Sequence, residues 1–251
     1  MNIRKTLILV FAILFSSIVF GQVKDSSLNI WQCEINYSFQ VPGGDMADRF
    51  GVNSTIGVGL NYKFKSNWTV GFEVSYLFGG ILKDSSSVLE GLMTNNGKII
   101  NEHGEYGTVL LTERGFYSGI KLGRVFPVGK SNPNSGIVFN IGAGLLQHHI
   151  HIENKDNNTP PVLGDYKKGY DRLTNGLSMR EFVGYQYLSN KNALNFYVGL
   201  EFYQAWTKCR RDFNFDTMER DDTPRNDYLF GIRAGWILPL YKKSPNKFYY
   251  Y

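Results

Sequence analysis

Three of the chain's four histidines crowd into one stretch, "LLQHHIHIE", as His148, His149 and His151. On an extended backbone His149 and His151 share a face, and two imidazoles so placed could hold Zn²⁺ or Cu²⁺. No Cys or carboxylate stands at a convincing spacing to complete the set, so no metal and no other cofactor is expected. The plainer reading is a polar passage from strand to loop, with the rings at the surface. Ser178 near His148 could serve a hydrolase as nucleophile and base. No spacing motif supports that pairing, no catalytic residue is assigned, and the chain reads as a non-enzyme.

Two further groups of charged residues are candidates for work other than catalysis. Glu34, Glu73 and Glu201, with Lys63, Lys121, Arg180 and Arg233, occur singly inside runs where alternate residues are apolar. Arg210, Arg211, Asp212 and Asp216 cluster in "KCRRDFNFDTMERDDTPRND", residues 208–227, and "KKGYDRLTNG" at 167–176 has a similar mixture. Salt bridges among these would order a loop. The same groups could contact phosphate groups or a partner protein. Asp221 and Asp222 read as solvated neighbours rather than a Ca²⁺ site.

The elements that must carry these residues are strands. In "WQCEINYSFQV", residues 31–41, every odd position from Trp31 to Val41 is apolar and every even one is polar. A period of two gives one wholly apolar and one wholly polar face. The pattern returns at 55–64, 68–79, 108–125, 137–145, 177–188, 194–206 and 228–240, which makes eight strands. Links after the second, fourth and sixth are short. Those near 42–54, 80–107, 150–176 and 208–226 are longer, and are expected to be polar. Alternating short turns and long loops is the layout of an outer-membrane barrel.

A soluble barrel would turn the apolar stripes inward, whereas a membrane barrel turns them to lipid. The polar faces decide between them. They are rich in glycine, as at 57, 59, 71, 119, 123, 142 and 144, which weakens a solvated strand but suits a narrow lumen. Isolated charges there would be costly, so the seven strand-borne charges should pair into a network that plugs the lumen. Trp31, Trp68 and Trp236 lie near strand ends on the apolar stripes, where indoles settle at a membrane interface. The fold expected is all-β: an eight-stranded antiparallel up-and-down transmembrane barrel.

The remainder of the sequence agrees. Arg4 and Lys5 precede an apolar run from Leu7 to Phe20 that closes on Val19-Phe20-Gly21. This reads as a signal peptide over 1–21, cleaved before Gln22, with one barrel domain over 22–251. Aromatic residues make up 15% of the chain and the formal net charge is only +5. The first favours strands, and the second, without Lys/Arg runs, gives no support to nucleic-acid binding. Cys33 lies low on an upward strand and Cys209 near the outer rim, roughly 26 Å apart along the strand before tilt. A disulfide needs Cα atoms within about 7 Å, so none is expected between them.

The "FGQ" signal end, the eight alternating strands and the aromatic ending "KFYYY" together resemble the small outer-membrane β-barrel family typified by OmpA and OmpX, in its Bacteroidota-type form. The resemblance implies the outer membrane of a Gram-negative bacterium, with membrane lipid and lipopolysaccharide as surroundings and cell-envelope proteins as candidate partners. Three functions stay open. The first is a non-enzymatic barrel with a structural or partner-binding role through its extracellular loops, in its most specific form an accessory barrel of a secretion apparatus. The others are an outer-leaflet lipid-modifying enzyme and a small pore.

Overall fold

A computed structural model describes residues 27–240, apart from 84, 129–131, 156–157 and 190–193. The expected signal peptide and the aromatic ending lie outside the described residues. Eight strands form the wall: β1 (Ile30–Gly44), β2 (Asn53–Lys63), β3 (Trp68–Gly79), β4 (Val109–Pro127), β5 (Gly136–Asn154), β6 (Thr174–Leu188), β7 (Asn195–Cys209) and β8 (Arg225–Leu240). Each pairs antiparallel with its sequence neighbours. The ring closes where β1 meets β8, in a register that sets Tyr37 opposite Ala234.

The stripes point as the alternation predicts. Outward apolar side chains such as Val58 (58% exposed) and Ile120 (66%) form a continuous belt, while Arg233 and Lys63 on the opposite faces are fully buried. Trp31, Trp68 and Trp236 are all exposed toward one end of this belt. Water would not tolerate so much exposed apolar surface, whereas the hydrocarbon of a bilayer would.

The fifth strand departs from expectation. The alternation predicts it over 137–145, yet β5 continues to Asn154. Beyond Leu145 the pattern inverts: Leu146, Ile150 and Ile152 are buried, and His149 and His151 face outward. Above the bilayer the exterior is water and the interior is protein, so the apolar residues change sides. β4 rises beside it, pairing Val109 with Asn154.

The long loops are not the polar appendages that the sequence predicts. A short helix α1 (Asp45–Arg49) folds back between β1 and β2. Its Met46, with Phe50, Val88 and Leu89, packs onto the inward-facing Leu77, Leu146 and Leu229. These contacts build an apolar plug in the outer part of the lumen. A smaller apolar cluster, including Val125, Val138, Phe182 and Ile237, fills the periplasmic part. Residues 132–135 lie across that mouth, with Asn132 Nδ2 donating to Leu188 O at 2.6 Å.

Candidate functional site

Between the two apolar clusters lies a layer of charge. Glu34 comes from β1, Glu73 from β3, Lys121 from β4, Arg180 from β6, Glu201 from β7 and Arg233 from β8. Their side chains reach the axis because the facing positions on neighbouring strands are small. Glu34 and Glu73 both sit opposite Gly59, Lys121 and Arg180 opposite Gly142, Arg233 opposite Gly199, and Glu201 opposite Gly231.

The pairing is dense. Lys121 Nζ lies 2.6 Å from Glu34 Oε2 and 3.3 Å from Glu73 Oε2. Arg233 donates through Nη2 to Glu73 at 3.1 Å and through Nη1 to Glu201 at 2.9 Å. Arg180 stands 3.1 Å from Glu73 and 3.6 Å from Glu201, with its guanidinium within 6 Å of the Phe182 and Tyr203 ring centres. Three cations thus meet three carboxylates, so the layer is neutral as a unit.

Lys63 stands outside this network. The register places it at the periplasmic end of β2, opposite Ile30, beyond reach of the mid-lumen carboxylates. Its amine donates instead to Asn134 at 2.9 Å and Ser27 at 3.2 Å, which braces the lower mouth.

Further members of the layer carry no charge. Gln40 Nε2 donates to Glu201 at 2.6 Å, Tyr197 OH lies 3.5 Å from Glu34, and Arg233 Nη1 lies 3.4 Å from Tyr203 OH. All three were signalled by sharing the polar face of their strands with Glu34 or Glu201.

A second buried polar group lies above the bilayer. His148 Nε2 is 2.9 Å from Asp227 Oδ2, and Asp227 also accepts from Thr207 and, at 3.4 Å, from Arg49 of α1. His148 is therefore interior, not a surface ring, because even-numbered positions of β5 face inward along its whole length and the strand runs on past residue 145. Glu113 accepts from Asn53 at 3.1 Å nearby. The Ser178 hydroxyl has no hydrogen-bond partner among the described residues. Ser178 and His148 are not brought together as nucleophile and base. His149 and His151 have ring centres 6.5 Å apart on the outer surface. Among the described residues no group of three or more His, Cys, Asp or Glu could hold a metal ion. Cys33 and Cys209 are free thiols at opposite ends of the barrel.

At the outer rim the loops over 158–173 and 210–224 are tied to each other. Arg211 Nε donates to Asp171 at 2.7 Å, and this bond raises the guanidinium pKa above its ordinary value. Asp216 accepts from Arg172, and Phe215 N donates to Gly169 O at 2.8 Å. Arg210 Nε donates to Asn175 at 2.7 Å, and Asp212 is exposed. Arg225 and the Thr223 N–H both donate to Asp221. Burial of Asp221 acts against ionisation, but these hydrogen bonds prevail and its pKa lies below the usual carboxylate value. Asp222 pairs with Lys208 at 2.9 Å.

No family model matches the sequence, and no curated protein matches it. Solved structures do. Neisserial surface protein A aligns over 82% of this chain and 94% of its own, at 9% identity and a TM-score of 0.43. Ail of Yersinia pestis, in complex with the heparin analogue sucrose octasulfate, aligns over 84% and 99%, at 12% identity and a TM-score of 0.40. The outer membrane protein OprG of Pseudomonas aeruginosa aligns over 85% and 97%, at 11% identity and a TM-score of 0.38. At these scores the likeness has little weight beside the strand pairing itself. That pairing closes a sheet of eight strands, and the only solvent that suits its exterior is hydrocarbon. Bacterial barrels of this construction reside in outer membranes. The chain folds as an eight-stranded transmembrane β-barrel, and that construction places it in a bacterial outer membrane.

Proposed function

We propose that this barrel is non-enzymatic and works through its outer face, as a docking surface for a cell-envelope partner. The observation that supports this reading is a contrast between inside and outside. The lumen is filled at successive levels by apolar clusters and the paired charges of Glu34, Glu73, Lys121, Arg180, Glu201 and Arg233. Rigidly tied loops meanwhile hold large apolar side chains out above the bilayer, among them Met218 (69% exposed), Tyr166 (64%) and Phe213. Exposed aromatics and Met on an ordered scaffold suit protein recognition. The finest form of the proposal is an accessory barrel of a secretion apparatus. Within it, residues 1–21 are the signal peptide and 22–251 the barrel domain.

Cross-linking in native outer membranes tests the docking surface. A partner captured by the wild type should be lost from Phe213→Ser/Met218→Ser, with the heat-modifiable gel mobility of the folded barrel unchanged. Capture undiminished in that variant would place recognition elsewhere. The enzymatic reading has its own measurement, since lipid A mass spectra from a deletion strain should match the parent. A defect in secretion in the same strain would support the accessory role.

A further inference from the structure

The outward positions of β6 run Leu177, Met179, Glu181, Val183, Tyr185 and Tyr187. Glu181 is the one carboxylate among them. It is exposed on the lipid-facing side, level with Ile141 of β5 and Phe202 of β7. Ile141 is itself midway along the outward stripe from Ile137 to Leu145. At about 3.3 Å per residue and a tilt of about 40°, the carboxyl lies roughly 10 Å below the outer edge of a belt about 25 Å tall. Lysine and arginine escape such depths on long stems, but a glutamate side chain is too short. Hydrocarbon offers it no partner, so a carboxyl at this level marks a contact.

Gln204 of β7 faces the same way, opposite Met179 in the register. It stands on the diagonal from Glu181. Neither side chain has a hydrogen-bond partner among the described residues. Beside them, on the level of Met179, is Ala143 of β5, a small outward side chain that permits close approach. The patch thus sets an acceptor next to a donor.

We propose that this face, centred on Glu181 and Gln204, joins two copies of the barrel side by side in the membrane. A two-fold axis brings the amide of Gln204 in each copy to the carboxylate of Glu181 in the other, where the N–H donates and the oxygen accepts. Isologous contacts require this self-complementarity. A different protein offering only a cation would satisfy Glu181 and leave the Gln204 amide in lipid. The inference rests on the bilayer placement of the belt and is independent of what the outer loops bind.

Oxidative cross-linking in native membranes tests it, in a Cys33→Ser background with Cys209 buried. Met179→Cys should give a disulfide-linked homodimer, and Val58→Cys, on the opposite wall, should not. Adding Glu181→Leu and Gln204→Leu should reduce the dimer about tenfold, the order expected for a pair of intramembrane hydrogen bonds. These leucines sit on a lipid-facing surface and spare the interior, and heat-modifiable mobility verifies folding. No dimer, equal dimer from both cysteine positions, an undiminished dimer in the leucine variant, or a Met179→Cys adduct with another protein would each overturn the proposal. A wild-type chain without heat-modifiable mobility would instead overturn the barrel reading beneath it.

Discussion

Arg233 bridges the lumen, tying β8 to Glu73 on β3 and to Glu201 on β7. Removing it leaves buried carboxylates with too little positive charge. Arg233→Met is therefore expected to lower stability by about 3–5 kcal/mol, read as a lower urea midpoint for conversion of the folded to the unfolded gel form. Replacing Arg233 and Glu201 together should cost less than the two single changes combined, because the remaining charges balance. The residues of this network were legible because isolated charges on a polar strand face have nowhere else to point. Lys63 shows where that logic ends. Its face was readable, but its height on the axis depends on register, and there an amide and a hydroxyl take the place of a carboxylate.

The same distinction governs whole elements. Strand β3 begins and ends where the alternation places it, since both its ends lie close to the membrane boundaries. β5 does not, because its upper part obeys the opposite rule of apolar in and polar out. A single stripe template stops at the inversion between Leu145 and Leu146. The loop plug was hidden for another reason: Met46, Phe50 and Val88 are scattered without period, and only tertiary packing gathers them. Two glycines show how tightly the elements fit. Gly44 ends β1 with φ +59°, and a Cβ there would meet the Asn226 carbonyl at 2.2 Å. Gly199 lies beneath the Phe182 ring, where a Cβ would come within 2.8 Å of Cζ and closer still to the backbone of Gly184. Gly199→Val should therefore perturb the β6–β7 pairing and destabilise the barrel by about 1–3 kcal/mol, measured by the same gel assay. The loop over 210–224 responds to acid. The pKa of Asp221 is lower in the folded chain than in the unfolded one, so its contribution is present above the unfolded value of about 3.9 and is lost as the pH falls through the folded pKa. Amide exchange around Thr223 should accelerate below about pH 4, and Asp221→Asn should bring that acceleration to neutral pH.

At the scale of the molecule, the barrel is a filled post. Planar bilayers containing the purified protein should show no conductance steps at neutral pH; regular steps would mean that the paired charges part. Sequencing the mature protein should find Gln22 at its amino terminus. The eight-strand plan was legible in full because lipid imposes a strict code on every strand that crosses it, whereas the outer face, which answers to water and to a partner, was legible only as a collection of charged residues.

The position of Arg233 on the final strand has a consequence for biogenesis. Until β8 docks, the nascent sheet carries three acidic groups and only two bases, Lys121 and Arg180, at its centre. A last strand paired in a slipped register would seal the seam without neutralising them. Arrival of the last strand therefore completes the circuit of charge at the moment it completes the circuit of backbone, so that a misaligned closure is penalised from within.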